Sequence, residues 1–280
     1  MAANFGILYI VATPIGNLED FSPRAIRVLR EVDYVAAEDT RHSQPLLMHF
    51  GIGTSLFPLH DYNEQQQVDK VITYLKQGKS VALISDAGTP LISDPGYRVV
   101  KQVREQGFKV VPVPGACALV AALSAAGLPS DKFIFDGFLP VKSSARQKRL
   151  QALVKEERTL IFYEAPHRIL DSLDDFIAVF GAERHAVLAR ELTKTFETIL
   201  SGSLSELKKI LLTDHNQQKG EFVILVQGAE TVDYDETKSQ QVLEILLGEL
   251  PVKQAANLAA KITGDSKNKL YELALRLKNK

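Results

Sequence analysis

Small and polar residues follow a short apolar stretch in the first half of the chain. Residues 81–85 (VALIS) are rich in branched apolar side chains and bounded by turn residues, which predicts a short buried strand. The polar turn 86–90 (DAGTP) comes next. Ligands of open α/β sheets bind at loops after the carboxyl ends of parallel strands, where small side chains leave the backbone accessible. The turn is therefore a candidate binding site, although an ordinary strand-to-helix connection explains the pattern equally well.

Similar polar clusters follow other apolar stretches of the sequence. They are 13–17 (TPIGN), 38–42 (EDTRH), 164–168 (EAPHR) and 191–194 (ELTK). Carboxylates and imidazoles suit proton transfer, and Arg and Lys suit the binding of anions. We expect the loops that carry these groups to face one cleft.

Two helices are predicted beside the candidate turn. The segment 94–96 (DPG) predicts a helix start, with Asp94 as the N-cap and proline at the first helical position, where its missing N–H would be unpaired anyway. This helix is expected to extend over 95–106. A second helix, over 116–126 (ACALVAALSAA), has small and apolar side chains that indicate burial, so that only its first turn is a site candidate.

The alternation of elements predicts an α/β fold with two domains and a helical tail. Residues 1–135 alternate strands and helices, which favours a mostly parallel sheet. Residues 136–230 form a second predicted α/β layer, with 136–142 as the hinge, and clefts between domains are favoured ligand sites. Residues 231–280 begin with a polar, linker-like stretch and then predict three short helices. The last two have helix-turn-helix character around Gly264.

Composition excludes several classes of protein. The 280 residues carry a formal net charge of -1, so overall charge does not indicate a nucleic-acid-binding protein. The single cysteine excludes an intramolecular disulfide. The dinucleotide fingerprint, the Walker A loop, the G-x-S-x-G elbow and the H-E-x-x-H helix are missing, and the histidines are not spaced as metal ligands, so no metal is expected. Without a basic signal region or an apolar run near the ~20 residues of a membrane span, a cytoplasmic protein is predicted.

Two segments are locally basic. Residues 142–158 hold six Lys or Arg against two Glu, and the chain from residue 266 onward holds five against one. A solvated helix face is the usual explanation for such a segment. A surface that faces RNA phosphates is the alternative.

Five motifs occur in a characteristic order. They are 11–17 (VATPIGN), 83–90 (LISDAGTP), 113–115 (VPG), 162–164 (FYE) and 220–226 (GEFVILV). This order resembles the tetrapyrrole methylase superfamily. Within it, the stretches LYIVATPIGNLEDFSPRA, AAEDTRHS, ISDAGTPLISDPG, FYEAPHRI and ARELTKTFE resemble the bacterial small-subunit rRNA cytidine-2′-O-methyltransferases. The similarity covers about residues 5–228, and the helical tail also fits.

The resemblance implies a binding site for S-adenosylmethionine (SAM) between the two α/β domains, and a homodimer. The positions that fall on or beside the family's cofactor contacts are Ile15, Asp86, Ala87, Gly88, Thr89, Ile92, Cys117, Ala118, Glu164 and Leu192. The chain departs from the usual G-x-G-P-G-D and G-G-D-P motifs. Ile15 stands where Pro is usual, and Asn17 and Thr89 stand in place of Asp.

The resemblance further implies methyl transfer to the ribose 2′-oxygen of a cytidine in the decoding region of 16S rRNA. This displacement requires alignment of the hydroxyl with the methyl carbon, exclusion of water and a base for the hydroxyl proton. The candidate bases are Glu38, Asp39, His42, His167 and Glu191. The candidate RNA ligands are Arg41, Lys142, Arg146, Lys148, Arg149, Arg168 and Lys194.

Two other functions remain open at this point. A SAM enzyme that acts on a small corrinoid or tetrapyrrole precursor would share the cofactor site, but it needs neither a basic segment nor a helical tail. A non-catalytic RNA-binding protein would share the fold without turnover. Transfer of a labelled methyl group to small ribosomal subunits or to free tetrapyrrole distinguishes the three.

Overall fold

A computed structural model describes residues 5–60, 63–229 and 236–278 of the chain. The chain divides into two compact units, Met1–Gly228 and Ala229–Lys280. The linker was predicted over residues 231–240; residues 231–235 lie outside the described residues, and the rest is not a linker, because a helix begins at Glu236. No helix in the described ranges is long and apolar enough to cross a lipid bilayer.

The first sheet of the larger unit has five parallel strands in the order β3-β2-β4-β1-β5. The strands are β1 (Ile7–Val11), β2 (Tyr34–Ala37), β3 (Ser55–Pro58), β4 (Val81–Ile84) and β5 (Lys109–Val113). The helices are α1 (Pro23–Glu31), α2 (Thr40–His49), α3 (Glu64–Lys76), α4 (Tyr97–Glu105) and α5 (Ala118–Ala125). All residues of β4 are buried, as expected of a strand covered on both faces. The prediction of a parallel α/β sheet is confirmed.

The second sheet of this unit is mixed, in the order β6-β7-β10-β8-β9. The strands are β6 (Phe133–Phe138), β7 (Thr159–Glu164), β8 (His185–Arg190), β9 (Thr198–Ser203) and β10 (Phe222–Val226). Only β6 and β7 pair in parallel; the other neighbours are antiparallel. The helices of this layer are α6 (Ser143–Gln151), α7 (Ile169–Phe180) and α8 (Leu204–Thr213). Leu150, Phe162 and Phe176 form the centre of its core.

Helix α4 begins later than the sequence predicted. Its N-cap is Gly96, with φ of +124°, and helical residues start at Tyr97. A Cβ at position 96 would lie 2.6 Å from Leu83 Cδ2, so the tight approach to β4 requires glycine here. The prediction that Asp94 caps this helix is wrong, because the chain turns once more before the helix begins.

Three elements have no strong local pattern in the sequence. They are α2, β3 and β9. Helix α2 contains Pro45, which is unfavourable inside a helix. Strand β3 ends at Pro58, although proline is unfavourable in a strand interior. These elements are short and weakly patterned, so contacts with the rest of the fold must determine them.

Other local predictions are confirmed. The Ser203-x-x-Glu206 pattern of the sequence forms a capping box at the start of α8, with both reciprocal hydrogen bonds present. In the smaller unit, helices α9 (Glu236–Glu249), α10 (Val252–Thr263) and α11 (Lys267–Lys278) pack around a core of their own. Gly264 ends α10 in the left-handed conformation, and Leu270 and Leu273 of α11 are buried.

Candidate functional site

The loops after β1 and β4 are joined at the carboxyl edge of the first sheet. Thr13 N donates to the Gly88 carbonyl oxygen at 2.9 Å, and Gly88 N donates to the Thr13 carbonyl oxygen at 3.1 Å. The hydroxyl of Thr89 donates to the carbonyl oxygen of Ala116, in the loop after β5, at 2.9 Å. Because β1 lies between β4 and β5, these three loops meet at one place.

Two glycines bring these loops into close contact. Gly88 has φ of +82°, and a Cβ there would lie 3.2 Å from Ile15 Cγ2. A Cβ on Gly115 would lie 2.8 Å from Ala12 Cβ. Larger side chains at either position would separate the loops or fill the space between them.

The second sheet supplies the opposite wall of the site. Phe222 of β10 pairs with Glu164 of β7 on one side and with Arg190 of β8 on the other, so these strand ends lie at the same edge. An apolar cluster that includes Leu119 of α5 and Val223 of β10 links the two layers.

A cavity of about 420 Å³ lies between these walls, within the size range of small-molecule sites. All ten positions implied as cofactor contacts line it: Ile15, Asp86, Ala87, Gly88, Thr89, Ile92, Cys117, Ala118, Glu164 and Leu192. The sequence analysis did not assign to this cavity Ser93, Asp94, Phe138, Tyr163, Glu221 or Phe222. Their local patterns indicate an ordinary loop or strand, so only the fold brings them there.

The carboxylate of Glu164 does not face the cavity freely. Its side chain is buried, accepts hydrogen bonds from the Ser172 hydroxyl and from Arg168, and forms an ion pair with Arg168 at 3.2 Å. Any ligand in the cavity therefore meets Glu164 mainly through its backbone.

Acidic groups line the wall contributed by the first sheet. Asp94 lies beside Glu38 and Asp86, and burial, followed by the charges of these two carboxylates, raises the pKa of Asp94 to about 7. Asp86 Oδ1 accepts a hydrogen bond from Asp39 N at 3.1 Å, which fixes the loop after β2 against the loop after β4. Burial also raises the pKa of Tyr163, whose hydroxyl accepts a hydrogen bond from Leu119 N. A cationic ligand would complement this wall.

Strained backbone flanks the cavity on both sides. Leu91 and Ser93 have φ of 72° and 70°, and Glu191 and Thr193 have φ of 50° and 67°. Such conformations cost about 1–3 kcal/mol each for non-glycine residues, and they concentrate at functional sites. Both strained loops therefore lie beside the cavity.

A second cavity, of about 510 Å³, adjoins the first. Four residues line both cavities: Ile15, Asp86, Ala87 and Glu221. Pro14, Gly16, Leu18, His42, Pro45, Leu46, His49 and Lys194 complete the second cavity. Lys194 Nζ lies 2.8 Å from Glu191 Oε1 and 3.0 Å from Glu221 Oε2. Its stem covers Gly16, where a Cβ would lie 2.4 Å from Lys194 Cγ.

The five candidate bases are not equivalent in the structure. Glu38 lines the first cavity and His42 the second. Hydrogen bonds from Arg41 hold the pKa of Asp39 well below its usual range. Burial alone would raise the pKa of Glu191, but hydrogen bonds from Lys194 and Glu221 N lower it below its usual value. His167 is exposed in a short 3₁₀ helix and lines neither cavity.

The seven candidate RNA ligands also differ. Lys142 and Lys148 are exposed, whereas Arg149 pairs with Asp136 and Arg41 pairs with Asp39. Arg168 and Lys194 are half-buried in the ion pairs described above.

Arg146 is the exception among the candidate RNA ligands, because it is 3% exposed. It forms an ion pair with Asp175 at 2.6 Å and donates to backbone carbonyl oxygens, among them that of Val141. The expectation that Arg146 faces RNA is corrected, because this guanidinium lies inside the domain. Among the described residues, no cluster of His, Cys, Asp and Glu could hold a metal ion.

Two family models match the chain. One, for tetrapyrrole (corrin/porphyrin) methylases, matches residues 7–208. The other, described as the RsmI C-terminal HTH domain, matches residues 233–278. Together they cover both units of the structure.

Curated relatives match along almost the whole chain. A protein from Pseudomonas aeruginosa is 60% identical over 278 residues, which cover 98% of this chain and 99% of that protein. One from Escherichia coli O157:H7 is 55% identical over 271 residues, with 96% and 95% covered. Both are named ribosomal RNA small subunit methyltransferase I.

Solved structures share the fold at lower identity. A diphthine synthase matches with a TM-score of 0.60 at 17% identity, covering 79% of this chain and 90% of that one. A uroporphyrin-III-C-methyltransferase from Thermus thermophilus matches with a TM-score of 0.57 at 20% identity, covering 79% and 94%. These similarities bear on the fold of the larger unit.

Proposed function

The chain belongs to the tetrapyrrole (corrin/porphyrin) methylase family, and from this we infer that it is a SAM-dependent methyltransferase of small-subunit ribosomal RNA. The observation that carries the proposal is the similarity at 48–60% identity, over nearly the full length, to relatives named ribosomal RNA small subunit methyltransferase I. The acceptor we propose is the ribose 2′-oxygen of a cytidine in the decoding region of 16S rRNA.

The first cavity is the proposed cofactor site. Its volume and the acidic wall of Glu38, Asp86 and Asp94 suit a small ligand that carries positive charge. The cofactor supplies a methyl group on a positively charged sulfur. The ten residues implied by the family motifs are the proposed contacts, with Glu164 acting through its backbone because its carboxylate is held by Arg168 and Ser172.

The protein's part in the reaction is to position the acceptor and receive a proton. As the 2′-oxygen bonds to the methyl carbon, the carbon–sulfur bond breaks and the hydroxyl proton passes to a base. Glu38 and His42 are the candidates that line the two cavities. Asp39 and Glu191 are weaker bases, because neighbouring cations lower their pKa. Positioning alone can contribute about 7–11 kcal/mol in favourable cases.

Exposed cations on helix α6 and nearby are the proposed phosphate contacts. Lys142 and Lys148 have no ion-pair partner among the salt bridges of the described residues. Arg41, Arg149, Arg168 and Lys194 would contact phosphates only by sharing or exchanging their carboxylate partners. The helix-turn-helix unit, residues 231–280, is a further proposed RNA contact, supported by its basic last helix.

We also propose a domain division, an oligomeric state and a location for this protein. The chain before the C-terminal helices contains two domains, predicted from the sequence as 1–135 and 136–230. The second domain is proposed to begin at Phe133 instead, because β6 (Phe133–Phe138), which includes the start of the predicted hinge 136–142, is a strand of the second sheet. The protein is a homodimer, for which the exposed Phe133 and Val141 on and after the edge strand β6 offer an apolar surface. The proposed location is cytoplasmic, because the proposed substrate is ribosomal RNA.

Transfer of tritium from labelled SAM tests the proposed function. The acceptors are small ribosomal subunits reconstituted with unmethylated 16S rRNA and, separately, a free tetrapyrrole. We expect label in the RNA, at a ribose that becomes resistant to alkaline cleavage. Label in the tetrapyrrole alone would identify a small-molecule enzyme, and RNA binding without transfer would identify a non-catalytic protein.

A further inference from the structure

The second cavity opens onto the proposed cofactor site. Ile15, Asp86, Ala87 and Glu221 line both, so the two cavities share one wall. In an in-line methyl transfer the acceptor oxygen must approach the methyl carbon from the side opposite to sulfur, within van der Waals reach. The acceptor must therefore occupy a space that adjoins the donor's, and the second cavity is such a space.

One face of helix α2 forms the far wall of the second cavity. His42, Pro45, Leu46 and His49 are spaced i, i+3, i+4 and i+7, so they lie on one side of the helix. The other side is buried through Ser43 and Leu47. The two histidines lie about 10 Å apart along the helix axis.

The chemistry of this face suits an unstacked base. Imidazole rings stack on the flat faces of bases in single-stranded RNA. The ring of His49 packs edge-on against Phe50, with centroids 4.9 Å apart, which restricts its orientation. Leu18, which is 42% exposed, adds an apolar surface to the same cavity.

The charges of the second cavity select a nucleoside over a phosphate. Among the described residues that line it, Lys194 is the cation, and two carboxylates already hold its ammonium group. Asp86 and Glu221 on the shared wall would repel a phosphate. Carboxylate oxygens instead accept hydrogen bonds from ribose hydroxyls and from the exocyclic amine of cytosine.

We propose that the second cavity binds the acceptor nucleoside of the RNA, with the ribose at the shared wall and the base against the His42–His49 face of α2. The flanking phosphates then lie outside the cavity, on the exposed basic surface. This inference rests on the proposed function and adds the location of the acceptor, for which His49 and Leu18 are binding residues.

Two substitutions test the location. Leu18→Trp fills the second cavity from an exposed position, and His49→Ala removes a ring at the end remote from the donor. We expect either change to raise the KM for reconstituted small subunits about tenfold. The SAM dissociation constant, measured by calorimetry, should stay within about twofold of the wild-type value. For His49→Ala, kcat should also be retained, because this residue lines the second cavity and not the proposed cofactor site.

Matched controls lie outside both cavities. Leu212→Trp on α8 adds the same side chain at an exposed leucine, and His215→Ala removes an exposed histidine. Both should leave the KM for the subunits unchanged. A thermal melt of each variant checks that it is folded.

The outcomes separate this inference from the proposed function. An unchanged KM in both Leu18→Trp and His49→Ala, with active wild-type protein, overturns the location and leaves the function standing. Weaker SAM binding in step with the loss of activity also overturns it, because the cavity would then belong to the cofactor. Wild-type protein that binds SAM but methylates no ribosomal RNA overturns the function, and the inference with it.

Discussion

Gly88 is the residue whose size should decide whether the first cavity admits a ligand. Its backbone has φ of +82° and lies against Ile15. Gly88→Leu should weaken SAM binding at least about tenfold, because the side chain occupies the space that the ligand needs. Isothermal calorimetry measures the effect.

Gly107 provides a matched control for Gly88. It has a similar φ of +80°, but a Cβ there meets nothing within 4 Å. Gly107→Leu should carry the same backbone strain, about 1–2 kcal/mol, without affecting SAM binding. Equal SAM affinities in the two variants would remove Gly88 from the cofactor site.

Asp94 should make cofactor affinity depend on pH. Its carboxyl is protonated in about half of the molecules near pH 7, since burial and the neighbouring Glu38 and Asp86 raise its pKa to about 7. A cationic ligand favours the ionised form, so its affinity should rise as pH increases from 6 to 8. Calorimetric titrations across this range measure the slope. Asp94→Asn should flatten it, and an equally steep slope in that variant would assign the titration to a group other than Asp94.

The same group has the opposite effect on folding stability. A carboxyl whose pKa is higher in the folded state than its model value of 3.8 binds more protons when folded. The free energy of unfolding therefore decreases as pH rises between these two pKa values. The gain in stability from Asp94→Asn should accordingly be larger at pH 8 than at pH 5.

Neighbouring cations on helix α6 have different roles. Arg146→Ala would leave Asp175 buried without its charge partner, and we expect a loss of about 3–5 kcal/mol in the free energy of unfolding. Lys148→Ala should leave stability within about 0.5 kcal/mol. Urea denaturation measures both changes.

Lys148 should instead affect RNA binding. Removal of a single phosphate contact is expected to reduce the slope of log affinity against log salt by about 0.7–1. Substitution of both Lys142 and Lys148 by Ala should reduce this slope by about twice as much as the single substitution. A slope that stays the same would mean that the exposed face of α6 is only solvated.

We expect the two units of the molecule to have separate functions, cofactor binding in the larger unit and RNA binding in the smaller one. Met1–Gly228 contains all residues of both cavities, and the smaller unit has its own core around Leu270. Truncation after Gly228 should therefore preserve SAM affinity and raise the KM for small ribosomal subunits. Calorimetry and the transfer assay measure the two effects. Lost SAM affinity in a folded truncated protein would show that the smaller unit contributes to the cofactor site.

The sequence by itself determined the parts of this protein that depend on local patterns. The continuous apolar run of β4, the capping box at Ser203 and the glycine after α10 each identify an element from nearby residues, because burial periodicity and turn geometry are local properties. The family motifs indicated which loop residues should gather, and all ten line one cavity.

Only the tertiary structure decided which side chains meet across the chain. Arg146 looked like its basic neighbours, but Asp175, 29 residues away, holds it inside the domain. Asp94 had the residue type and position of a helix cap, yet the turn at Gly96 leaves it beside Glu38 and Asp86. The second cavity, too, depends on α2, which has a weak local pattern. Burial and charge pairing depend on residues far apart in sequence, so local patterns could not predict them.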